Sequence, residues 1–224
     1  ADTTDGADTG GDTTTGGGST GGETDGLAEA DCALAPKPHA GIAYVAHFLS
    51  PQLKMVRMDQ DTPMAIGQIE LSGVAHDLAL DPYQDRMAVV HDVEKEVAIY
   101  NLFRPDGAGL PDEPVKASTL TFAAEVPRFA TFDPARKRLY VASFKDMVGA
   151  DMTLWSYGIG VTSGPLATPI FKASVPVSVS FGVDSKLGAL FLVGLTDDRL
   201  RVYDVRKDAA DQLGNSLDLL LLYP

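Results

Sequence analysis

The chain has 224 residues and a mass of 23.7 kDa; 45% of the residues are hydrophobic, and 31 acidic against 18 basic side chains give a formal net charge of −13. That balance excludes a nucleic-acid-binding surface, which needs clustered Lys and Arg to displace counterions from phosphates. No stretch approaches the roughly 18 apolar residues required to span a bilayer.

The charge is concentrated at the start. Residues 1–31 hold Asp2, Asp5, Asp8, Asp12, Glu23, Asp25, Glu29 and Asp31 but no Lys or Arg, so the other 193 residues carry a net charge of only −5. Residues 1–26 are almost entirely Gly, Thr, Asp, Ser, Glu and Ala. Such a segment has too little apolar surface to offset its ordering entropy, which predicts a solvated tether over 1–31 ahead of one domain over 32–224. Calcium binding is the competing reading, but Asp2-Thr3-Thr4-Asp5-Gly6 lacks the ligand spacing of an EF-hand loop. No Gly-Lys-Ser/Thr follows the glycines, which excludes a phosphate loop. The sequence starts at Ala1 with neither an initiator Met nor a signal, so an upstream segment is expected to be missing.

The tail resembles the acidic stalk that follows the lipidated cysteine of bacterial surface lipoproteins. The resemblance implies an extracytoplasmic location, at the cell surface, in the periplasm or secreted. Membrane attachment would come only through a lipid anchor upstream of this chain. Cys32 is not that anchor, since Glu29, Ala30 and Asp31 replace the apolar and small residues of a lipidation site. As the sole cysteine it makes no intrachain disulfide, leaving a free thiol at the domain edge or an intermolecular partner.

From residue 41 the chain reads as short apolar strands separated by polar, Gly- or Pro-containing turns. Strands are predicted at 41–48, 53–59 and 65–71. Four follow within 76–91, 96–102 and 115–122, four within 128–143, 152–159 and 168–175, and four within 179–194, 199–205 and 216–222. Asp81, Asp133 and Asp184 set the register of a repeat of about fifty residues. Each ends a first strand and is read as structural, because an Asp side chain can bond its own backbone two residues on and start a turn, with Pro82 or Pro134 fixing φ next. Four short strands per repeat, without a 3.6 period, predict an all-β chain of β-propeller blades: a partial blade over 32–72 and full blades over 73–123, 124–175 and 176–224.

Kelch repeats would show paired glycines after the second strand, and WD repeats a Trp-Asp ending the third; neither pattern is present. Leu139-Tyr140-Val141-Ala142-Ser143 and Val202-Tyr203-Asp204 resemble the second and third strands of the YVTN-type repeat of lactonase-like propellers. The resemblance spans about 40–222 and rests on structural residues, so no catalytic position of that family is carried over.

The first blade lacks its innermost strand. Either the chain is the N-terminal half of a seven- or eight-bladed propeller or it closes as an irregular four-bladed ring. A half propeller would expose an apolar blade face, including 219–222, and is expected to self-associate through it.

Alternating strand directions bring second-strand ends and first-strand starts to one rim. His47, His91, Ser143 and Gly194 stand at the former, and His76, Asp77, Arg128 and Val177 near the latter. Adjoining loops add Asp92, Lys145 and Asp146. Propellers bind ligands at this mouth, so the ligand-binding candidates are His47, His76, Asp77, His91, Asp92, Arg128, Lys145 and Asp146. Imidazoles and carboxylates could hold a metal, and His beside Arg suits acid–base work or anion binding. The His residues come from different blades, so their separation does not follow from spacing.

No Gly-x-Ser-x-Gly elbow, zinc-protease motif or paired-cysteine site is present, and Gly158-Ile159-Gly160 lacks the third glycine of a dinucleotide site. Trp155 reads as blade packing. The expectation is a non-enzymatic module binding a protein or small molecule at its rim, without catalytic residues, metal or cofactor. The alternative is a lactonase-like or metal-dependent hydrolase using the rim's His, Asp and Arg.

Overall fold

The computed structural model describes residues 41–47, 49–58, 61–81, 86–102, 114–145, 151–159, 168–194, 197–212 and 217–218. The tail, Cys32, Asp146 and 219–222 lie outside the described residues.

Sixteen strands are described, all in antiparallel pairs. The first sheet is β1 (Ile42–Ala46), β2 (Gln52–Arg57) and β3 (Met64–Glu70). The second is β4 (Asp77–Asp81), β5 (Arg86–His91), β6 (Glu96–Asn101) and β7 (Val115–Thr121). The third is β8 (Val126–Asp133), β9 (Arg138–Phe144), β10 (Asp151–Gly158) and β11 (Phe171–Pro176). The fourth holds β12 (Ser178–Asp184), β13 (Ala189–Gly194) and β14 (Arg199–Asp204), with β15 (Asp211–Gln212) and β16 (Leu217–Asp218) both pairing β14. Of the strand expected at 216–222 only 217–218 is described, as β16, and β15 is a further short strand on the same edge of β14.

The sheets are consecutive in sequence and packed face to face. β5 is buried at all six positions because both its faces are covered. Its alternate side chains serve different interfaces. Met87 and Val89 join Leu53, Ile69 and Leu71 of the first sheet's side, whereas Ala88 and Val90 join Leu139, Val141 and Tyr157 of the third sheet. In the third sheet the same division sends Tyr140, Ala142 and Leu154 to Leu190, Leu192 and Tyr203 of the fourth. Strand period two, with apolar residues on both faces, therefore builds one continuous stack of sheets. The first strands lie at its centre, where β8 runs beside both β4 and β12.

Asp133 and Asp184 start turns, but each bonds the backbone three residues on and not two. Asp184 Oδ1 accepts from Leu187 N at 2.9 Å, and Asp133 Oδ1 from Arg136 N at 3.2 Å. Asp133 also forms a buried pair with Arg136 (Nη1–Oδ2 3.0 Å), and Arg136 reaches on to Ser185 O at 2.9 Å, tying the third sheet to the fourth. The last turn position is left-handed in both, with Lys137 at φ 52° and Gly188 at φ 65°. Asp81 is fully buried, paired in register with Arg86.

Candidate functional site

A β-bulge shapes the rim. In β8, Pro127 pairs Ser143 and Phe129 pairs Ala142, which leaves Arg128 as the extra residue. In β12 the same irregularity falls at Val179, between Ser178 and Ser180. In the second sheet His76 occupies this place, its N–H bonding Val90 O at 2.8 Å just before the Asp77–Val90 pair. One register position thus presents His76, Arg128 and Val179 in successive sheets. Val177, expected near the rim, is buried between the third and fourth sheets, and Val179, 51 residues beyond Arg128, holds the equivalent place. Bulges commonly re-aim a side chain in this way.

Arg128 reaches back across the blade boundary to the turn after β5. Its Nη1 donates to Asp92 Oδ2 at 2.8 Å and to His76 Nδ1 at 3.3 Å, and His76 Nδ1 lies 3.6 Å from Asp92 Oδ2. The three side chains are 17%, 33% and 22% exposed for Arg128, His76 and Asp92, so they are held in place yet open to solvent. Accepting from Arg128 requires an unprotonated Nδ1. Burial, and then the Arg128 charge, pull the His76 pKa below its ordinary value, against the opposing pull of Asp92 and Asp77. Aromatic rings line the cluster: His76 lies 5.9 Å from the Phe129 ring, Phe129 lies 6.2 Å from Phe181, and the Arg128 guanidinium sits 5.9 Å from the Phe144 centroid.

The other expected residues are placed differently. Asp77 Oδ2 accepts from Ala130 N at 2.9 Å, which straps β4 to β8. His91 is fully buried with Nδ1 3.3 Å from Val74 O, so it is closed to a rim ligand. His47 is exposed and its Nδ1 accepts from Leu49 N at 3.2 Å. Lys145 is exposed at the end of β9. Asp146 falls outside the described residues. Of the eight, the structure brings together His76, Asp92 and Arg128, with Asp77 beside them.

Sequence reasoning missed Glu125, the hub of a second polar group. It accepts from Ser143 Oγ, from Thr153 Oγ1 at 3.3 Å and from Trp155 Nε1 at 3.2 Å. Lys172 covers the Trp155 ring at 3.8 Å. These groups hydrogen-bond one another, and Ser143 is a buried member of the network. Glu125 stands in a connection where nothing in the sequence distinguishes it from any surface acid. Among the described residues no three His, Cys, Asp or Glu side chains come together as a metal-ligand set.

No protein-family model and no curated protein matches the chain. Solved structures do. A putative 6-phosphogluconolactonase from Bacteroides uniformis aligns over 83% of this chain and 54% of its own at 14% identity and TM-score 0.63. The WD40 domain of Toxoplasma gondii coronin aligns over 77% and 42% at 11% and 0.56. A β-propeller domain from Myceliophteria thermophila aligns over 76% and 52% at 10% and 0.57. The chain spans about half the length of the solved structures it matches. Sheets of this topology stacked in sequence, together with these likenesses, show a β-propeller fold.

Proposed function

We propose that this chain is a binding module that uses the His76–Asp92–Arg128 rim to engage a polar group of a protein or small-molecule ligand. In this reading it works outside the cytoplasm, carried on the acidic segment 1–31 as surface lipoproteins are carried on their stalks, and its repeats are of the YVTN type. The observation that carries the binding function is the cross-blade cluster. It offers preset hydrogen-bond donors and acceptors at partial exposure on an aromatic bed, with no hydroxyl or thiol among its three members.

The alternative is a lactonase-like hydrolase. It is favoured by the likeness to the putative 6-phosphogluconolactonase and by a neutral imidazole able to act as a base. Following 6-phosphogluconolactone hydrolysis separates the two. The binding reading expects wild type and His76→Ala to match the spontaneous rate. Acceleration by wild type that is lost in His76→Ala, with the fold intact by circular dichroism, would overturn it. A thermal-shift panel of sugar acids and sugar phosphates supplies the positive arm: a stabilising ligand should lose its effect in Arg128→Ala.

A further inference from the structure

His76 and Arg128 draw on the same acceptor. Arg128 Nη1 donates to Asp92 Oδ2 at 2.8 Å and to His76 Nδ1 at 3.3 Å, and His76 Nδ1 lies 3.6 Å from that same Asp92 oxygen. While Nδ1 is unprotonated, the guanidinium is held between the imidazole and the carboxylate. A proton on Nδ1 reverses this, because the ring then has no lone pair to accept from Arg128 and two N–H donors face each other. The new Nδ1–H turns to Asp92, and Arg128 loses one of its acceptors. The charged groups that face His76 are Arg128 from β8, Asp92 from the turn after β5 and Asp77 from its own strand. Asp77 is engaged by Ala130 N, and the fourth sheet brings the uncharged Val179 to the equivalent place, so both cations depend on Asp92.

We propose that the rim takes up an oxyanion, a carboxylate or a phosphate, together with a proton on His76. The proposal rests on the reading of this cluster as the binding site and adds the charge of the ligand and its gate. With His76 neutral, Arg128 is matched by Asp92 and Asp77 adds a second carboxylate, so an incoming anion meets no excess of positive charge. With His76 protonated, two cations share Asp92, and an anion bridging them restores the balance. Guanidinium and imidazolium both give charge-assisted hydrogen bonds to oxyanions, the guanidinium through a planar fork. Both side chains are open enough for a ligand oxygen to reach them. Phe129 beside the imidazole and Phe144 beside the guanidinium exclude part of the surrounding water, which strengthens the attraction. Burial and Arg128 disfavour the imidazolium in the free rim, and the anion supplies the compensation that Asp92 and Asp77 give only in part.

Proton linkage provides the test. The His76 midpoint is followed by NMR in the 224-residue chain while sulfate, a tetrahedral oxyanion in place of phosphate, or acetate is added at ionic strength held constant with sodium chloride. An anion that binds only the protonated form raises the midpoint, by about one pH unit at ten times its dissociation constant. Its affinity should fall about tenfold per pH unit above the midpoint. The anion giving the larger rise separates a phosphate-like from a carboxylate ligand. Arg128→Ala should abolish the rise, and Asp92→Asn should enlarge it by removing the competing carboxylate. A midpoint that neither anion moves, or a rise that persists in Arg128→Ala, would overturn the proposal. If the midpoint is unmoved but a ligand that stabilises the chain at neutral pH still loses its effect in Arg128→Ala, the proton-coupled anion is overturned and the binding reading stands; loss of both overturns both.

Discussion

At the residue scale the rim is governed by His76. Its pKa lies below the ordinary 6.5, first because of burial and then because of Arg128. A depressed folded-state pKa means that the unfolded chain binds the proton more readily, so this residue's contribution to stability is complete above about pH 6.5 and is lost as pH falls through the folded value. An NMR titration should place the His76 midpoint under 6.5. Arg128→Ala should move it upward, and Asp92→Asn should move it further down by removing an opposing charge. A wild-type midpoint at or above 6.5 would refute the arrangement. Asp133 offers a second test at this scale. Asp133→Ala would strand a buried guanidinium and cost about 3–5 kcal/mol in denaturant unfolding.

At the scale of the element, the first-to-second-strand turns decide the geometry. Lys137 and Gly188 hold the same left-handed position, but only glycine does so without strain. Lys137→Gly should therefore be neutral or stabilising by up to about 1 kcal/mol. Gly188→Ala should cost about 1–2 kcal/mol from the backbone alone. Its new Cβ would also collide with Arg136 and Arg206, so the measured loss should exceed that figure. Thermal and denaturant unfolding of the pair separates the two effects. The bulge is the other decisive element. Arg128 reaches Asp92 because an extra residue in β8 turns it outward, and Val179, at the same place in β12, brings no charge to the rim.

At the scale of the molecule the sheets behave as a linear stack coupled through their faces. Tyr140 fills the interface between the third and fourth sheets, and Tyr140→Ala should cost about 3–5 kcal/mol. Because coupling runs between neighbours, amide exchange should quicken in β12–β14 well before it does in β1–β3. Uniform loosening of all four sheets would contradict a neighbour-coupled stack.

Much of this was legible in the residues themselves. Period-two apolar runs, turn aspartates about 51 residues apart and short connections determine strands and an all-β propeller, because each is a local consequence of backbone geometry and burial on both sheet faces. The rim was legible as a neighbourhood only. His91 and His76 read alike in the sequence, yet one is sealed beneath Val74 and the other is open beside Arg128. That difference, the Arg128–Asp92 pairing and the hub at Glu125 depend on how one sheet packs against the next and on a bulge that shifts register by one residue. No spacing along a single chain encodes those distances, so only the tertiary structure decided them.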